Sequence, residues 1–149
     1  MLRPIAVATA ISGTLDIVFA MILTIAFGRK IPDMLRFVAS GPFPQATGWD
    51  TGGPVLGLIV HFTLMAIMAA IFMMIVRARP VLLDTPWATA VAFGVVTYFA
   101  MNWVVVPLRF HTPLPPKTIS IVTQLFAHLV LVSAVFVLVA RRTLEVRPA

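Results

Sequence analysis

The chain has 149 residues, 60% of them hydrophobic and 11% charged, with a net charge of +6 and no cysteine. A soluble domain is about 45–50% apolar and about 25% charged, so a water-soluble globule is excluded; so is disorder, which needs low hydrophobicity, and so is thiol chemistry. The positive charge does not indicate nucleic acid, because the basic residues sit at the ends of apolar runs, where lipid headgroups meet them.

A membrane-spanning helix needs about 20 mainly apolar residues, and four windows qualify. The first, Ile5 to Phe27, lies between Arg3-Pro4 and Gly28-Arg29-Lys30. It is too long for a signal-peptide core of about 7–15 residues, and it carries Asp16. A loop from Gly28 to Gly53 follows. In it Ile31, Met34, Leu35 and Val38 repeat with the spacing of one helical face. Pro32 suits a first helical turn and Gly41-Pro42 stops it, which predicts a short helix lying in the membrane interface. The stretch GPFPQATGWDTGGP is then too rich in Gly and Pro to be regular. The second window, Pro54 to Val76, closes on Arg77-Ala78-Arg79-Pro80. The third, Trp87 to Val106, is ended by Pro107 and followed by the semi-rigid PLRFHTPLPPK loop. The fourth, Ile119 to Ala140, closes on Arg141-Arg142. Trp49 and Trp87 sit just before spans, where aromatic belts are found. No window alternates as a barrel strand does. The predicted fold is an all-α integral membrane protein: one domain over 1–149, an antiparallel four-helix transmembrane bundle with a short interfacial helix in the first loop.

With four spans, both termini and the loop around 77–86 share a side. That side holds six basic residues (Arg3, Arg77, Arg79, Arg141, Arg142, Arg147) against five on the other (Arg29, Lys30, Arg36, Arg109, Lys117). The excess places both termini in the cytoplasm. The loop arginines read as headgroup contacts. The two halves also resemble each other. Each is a helix, a proline-rich loop, and a helix with an early histidine that ends on two arginines. Phe19-Ala20-Met21 recurs as Phe99-Ala100-Met101, the order of a parallel repeat about the membrane normal.

An ionisable group at bilayer depth is costly and normally faces the protein interior or a water-filled cavity. The candidates are Asp16, His61, Asn102, Gln124 and His128. Counted from the proline-rich-loop ends at about 1.5 Å per residue, Asn102 lies roughly 6 Å deep, Gln124 about 8 Å, His61 about 10 Å, His128 about 14 Å and Asp16 about 16 Å. Every span contributes, and all five fall on the loop side of the midplane. They predict a polar funnel that opens toward the Gly/Pro loops. Packed Met73, Val76, Leu138 and Val139 would close it at the arginine end. Asp16 and His128 lie at nearly one depth, so His128 is the first-choice partner for the carboxyl and His61 the second. A carboxylate beside an imidazole holds and passes a proton. Two histidines on different helices are also the ligand set of a b-type haem, with Gly57, one turn from His61, leaving room for a ring. Zinc wants three or four ligands, and only His61, His128 and Asp16 are available in the spans, so no metal site is expected.

There is no P-loop, Gly-x-Ser-x-Gly, His-Glu-x-x-His or Rossmann fingerprint, and no enzyme is expected. The leading reading is a membrane binding or transport module for a proton, a cation or a small solute, favouring a homo-oligomer. The second is a structural subunit of a larger membrane complex, with its polar residues joining helices. The third is electron transfer through haem held by His61 and His128; no other cofactor is expected.

Gly-Thr-Leu-Asp at Gly13 to Asp16, Ala-Ser-Gly at Ala39 to Gly41, Gly-x-x-x-His at Gly57 to His61 and Met-Asn-x-Val-Val-x-Pro-Leu at Met101 to Leu108 resemble a family of small four-span bacterial inner-membrane proteins of unknown function. The resemblance covers about residues 10–135. It implies a multi-pass protein of the bacterial inner membrane and supplies no activity.

Overall fold

The computed structural model describes residues 1–144; Arg147, counted above for orientation, lies outside them. Five helices make the fold: α1 (Leu2–Ala26), α2 (Ile31–Ala39), α3 (Gly52–Ala78), α4 (Pro86–Phe110) and α5 (Thr118–Thr143). There is no strand among the described residues. Helices α1, α3, α4 and α5 are each long and apolar enough to cross a membrane. Their surface is inverted relative to a soluble protein. Ile11, Leu15, Val18 and Ile22 of α1 face outward, while Ser12, His61, His128 and Ser133 are buried. Together these make the chain a multi-pass, all-α membrane protein.

The helix ends follow local chemistry. Helix α1 stops where Gly28 takes φ +70°, a left-handed conformation that costs a residue with a Cβ about 1–2 kcal/mol. Gly28 N donates to Ile25 O and Arg29 N to Thr24 O, each at 2.9 Å, which satisfies carbonyls a helix end leaves unpaired. Helix α4 does not end at Pro107 as predicted. It widens into a π-helical stretch over Ala100–Val105 and runs on to Phe110. Proline lacks an N–H and crowds the carbonyl four residues earlier, and the wider turn accommodates both. Helix α5 widens in the same way over Ala127–Ala134. Such wide turns recur at functional sites.

Helix α1 lies between α3 and α5, and α5 packs on α4. The fourth side closes through aromatic rings. Phe72 of α3 sits 4.9 Å from Phe93 of α4 and 5.8 Å from Phe136 of α5, centroid to centroid. In lipid there is no hydrophobic drive between helices, so contact rests on close packing and small residues. Accordingly Ala8, Ala69, Ala140, Ser12 and Ser133 are fully buried. The Ser133 hydroxyl donates to Ala90 O across the α4–α5 seam at 2.7 Å.

This core occupies the arginine-end half. Met73, Val76 and Val139 are buried there as predicted, but Leu138 is 46% exposed and faces outward. Toward the loops the second half is thinly packed: no residue from Phe99 to Phe126 is buried. The predicted short helix is α2. Its Leu35 is buried, and Ile31, Met34 and Val38 are half-buried. That face sits on the start of α3, so the helix is docked on protein.

Phe72→Ala removes a ring shared by three helices and is expected to lower stability by about 3–5 kcal/mol. Leu138→Ala, on the outer face, should change it by less than about 0.5 kcal/mol. Thermal unfolding of both variants in one detergent measures the contrast.

Candidate functional site

Down α3 runs a row of buried residues spaced by four: Gly53, Gly57, His61, Met65, Ala69 and Met73. This spacing keeps them on one face. At the loop end the row carries no side chains. A Cβ at Gly53 would lie 2.8 Å from Ala46 O, and one at Gly57 would collide with the carbonyl of Leu35. The α2 backbone thus fills the space beside Gly57 that the sequence left open for a cofactor ring.

One turn deeper, His61 meets α1. Its Nε2 lies 2.9 Å from Gly13 O. A carbonyl only accepts, so Nε2 carries the proton. Gly13 permits the approach: a Cβ there would be 2.7 Å from the Phe62 ring. The other ring nitrogen, Nδ1, lies 3.9 Å from Asp16 Oδ2, with the side chains 10% and 22% exposed respectively. That distance is beyond a hydrogen bond of about 2.7–3.2 Å and within reach of a small side-chain rotation. Because Nε2–H is fixed by Gly13, the pair has one proton to place between Nδ1 and the carboxyl. Carboxylic acid with imidazole and carboxylate with imidazolium are the two arrangements, and both are net neutral. Neutrality matters, since a lone charge at this depth costs about 2.5–3.5 kcal/mol on the insertion scale.

The structure therefore joins Asp16 to His61 and not to His128, the first-choice partner. Pro54 is the predicted start of this span. The helix begins at Gly52, which lowers His61 to about 14 Å, beside Asp16 at about 15 Å. His128 is equally deep at about 15 Å, but it faces α4. There His128 Nδ1 lies 3.1 Å from Thr97 Oγ1. The Thr97 hydroxyl turns back to Phe93 O at 3.0 Å and Gly94 O at 3.1 Å, so it accepts from His128 Nδ1–H. This is the opposite tautomer from His61. Gly94 permits this contact, as a Cβ on it would be 2.9 Å from His128 O.

Both halves thus use a glycine and a polar residue three positions later to receive a histidine: Gly13 and Asp16 for His61, Gly94 and Thr97 for His128. This register is one residue off the Phe-Ala-Met match noted in the sequence. Asn102 Nδ2 donates to Tyr98 O at 3.3 Å, inside the widened part of α4. Tyr98 is buried, and its hydroxyl accepts from Trp103 Nε1 at 3.2 Å. Gln124 is half-buried, one turn before His128. Of the predicted residues the structure brings Asp16 to His61; His128 pairs with Thr97 and Asn102 with the Tyr98 carbonyl. Sequence reasoning missed Thr97 and Tyr98; the recurring Gly-x-x-polar spacing was the available signal for Thr97.

The described residues hold no group of three His, Cys, Asp or Glu able to bind a metal. Ligation of a haem by His61 Nε2 would break its bond to Gly13, and the ring space at Gly57 is filled by Leu35. The residues around His61 do not fit a haem. Two arginines read as headgroup contacts have protein partners instead. Arg36 donates to Trp49 O at 2.7 Å and Asp50 O at 3.0 Å, and pairs with Asp33 at 2.8 Å. Arg109 donates to Gly41 O at 2.5 Å and Ser40 O at 2.6 Å.

Comparisons with protein families, with curated proteins and with solved structures found no match to this chain.

Nitrogen chemical shifts of ¹⁵N-histidine-labelled protein distinguish the tautomers. Neutral His61 is expected to carry its proton on Nε2 and neutral His128 on Nδ1. Thr97→Val should release His128 into a mixture of tautomers and leave His61 unchanged. One shared tautomer at both residues would contradict the assignment.

Proposed function

We propose that this chain is a small membrane module that binds and passes a proton, with Asp16 and His61 as the working pair. The observation that carries the reading is the 3.9 Å approach of His61 Nδ1 to Asp16 Oδ2 while Nε2 is held by Gly13. Fixing one nitrogen leaves the other a single task. A third proton state of the pair, gained or lost, has a net charge and is short-lived in this setting, which suits relay more than storage. Coupled movement of a cation or small solute would use the same pair. Four spans give a thin wall around any path, so the reading favours a homo-oligomer. The resemblance noted above supports a bacterial inner membrane, and the arginine excess supports cytoplasmic termini.

A second reading has its own support. Ser133 to Ala90 and His128 to Thr97 are polar contacts between helices of the kind that hold a structural subunit together.

Purified protein in liposomes with an internal pH-sensitive dye separates the two. The relay reading expects an imposed pH gradient to collapse faster than in empty liposomes. Asp16→Asn and His61→Phe should each abolish the excess, and Thr97→Val should retain it. Equal decay in wild type and Asp16→Asn would leave the structural reading ahead.

A further inference from the structure

Helix α2 covers the loop end of the buried row that leads to His61. Its Leu35 backbone is pressed on Gly57, one turn from His61 on the same face of α3. Leu35 is 5% exposed and Ala39 is fully buried. A solute moving along this face from the loop side meets α2 first.

Helix α2 packs chiefly on the start of α3, and a further hold on it comes from the other half of the molecule. Arg109, at the end of α4, donates to Ser40 O and Gly41 O. These are the carbonyls at and just beyond the C-terminal end of α2, where a cation is favoured by the helix dipole. The next ring, Phe110, stacks on Phe37 of α2 with centroids 4.3 Å apart. The Arg109 guanidinium lies 5.1 Å from the Phe110 centroid. Among the described residues, both hydrogen bonds from α4 to the first loop come from Arg109.

The arm that carries this latch is thinly packed against the rest of the chain. Between the aromatic core and Arg109, α4 is π-helical over Ala100–Val105 and contains Pro107. None of its residues from Phe99 to Phe110 is buried. A segment with few packed contacts opens at low free energy. By contrast, the arginine end of α4 is fixed through Ala90, Gly94 and Tyr98, all buried.

We propose that α2 is a gate over the Asp16–His61 pair, and that Arg109 on the movable end of α4 is its latch. The gate regulates the working pair and so rests on the reading of that pair given above. When α4 swings outward, Arg109 leaves Ser40 and Gly41, α2 lifts from Gly53 and Gly57, and water reaches His61 from the loop side. The wide turn of α4, which holds Asn102, is then the hinge.

Because the chain has no cysteine, single reporters can be introduced. Leu35→Cys reports the gate. Met65→Cys, one turn beyond His61 and 7% exposed, reports the path beneath it. Ala39→Cys replaces Leu35→Cys if that variant does not fold. The probe is a positively charged, membrane-impermeant methanethiosulfonate added to proteoliposomes. With Arg109 intact, both thiols are expected to react slowly. Arg109→Gln removes two charge-assisted hydrogen bonds and should speed both reactions by at least about tenfold. Arg141→Gln, at the opposite end, should leave both rates unchanged.

Unchanged rates in Arg109→Gln overturn the gate. So does faster reaction at Leu35→Cys alone, since α2 would then move without uncovering the path. Acceleration by Arg141→Gln overturns it too, because the bundle would be loosening generally. The thiol rates do not depend on proton flux. If both thiols accelerate while the pH decay is equal in wild type and Asp16→Asn, the gate over the row stands and the relay reading falls.

Discussion

A polar ring buried in a bilayer needs a hydrogen-bond partner on a neighbouring helix, and for His61 of α3 that partner is the open backbone carbonyl of Gly13 on α1. The missing side chain lets the Phe62 ring lie against α1 and brings His61 Nε2 to 2.9 Å from Gly13 O. That contact fixes the ring plane, and the ring plane directs Nδ1 at Asp16. Asp16 sits three residues after Gly13, about one turn on, so it shares the face that His61 meets. Remove the close approach and the carboxyl loses its neighbour, the imidazole loses its tautomer, and the buried row on α3 no longer registers against α1. At Gly94 a missing side chain again lets two helices approach, but His128 bonds to the Thr97 hydroxyl and not to the glycine carbonyl.

The four spans and the short helix were legible from the sequence because their causes are local. Continuous apolar runs of span length admit one solution in lipid, since backbone groups must pair within each segment. The spacing of Ile31, Met34, Leu35 and Val38 likewise reports a helical face. Span ends were less legible. Pro107 was read as a stop because a proline inside a helix usually breaks it; nothing in the residues announced that the preceding turns would widen. Leu138 was placed in the packed end by its neighbours, although its position around α5 turns it to the outside.

The site was half legible. Ionisable residues in apolar runs are conspicuous, so Asp16, His61 and His128 stood out at once. Which of them meet depends on how each helix is rotated about its axis, and depth along the bilayer does not report rotation. Even with α3 started at Gly52, His61 and His128 lie at nearly the depth of Asp16, and only helix rotation separates them. Arg36 and Arg109 were misread for a related reason. Charges beside a membrane default to headgroups, and only the folded loop shows the carbonyls that claim them. Gly57 was correctly seen as a gap, but the backbone of Leu35 fills it, and long-range docking of that kind leaves no local trace.

The depth of the Asp16–His61 pair has an electrical consequence. The pair sits about 14–15 Å from the loop ends of its helices, close to the middle of a hydrocarbon layer of about 30 Å. Moving one charge through the whole layer against 100 mV takes about 2.3 kcal/mol. A proton arriving at the pair from either face has therefore crossed about half the field, about 1.2 kcal/mol per 100 mV. That is a change of about sevenfold in occupancy, with a sign set by the face from which the proton came. Thr97, at the matching place in the other half, has no charge state to respond. The field acting on the Asp16 carboxyl thus has no counterpart at Thr97.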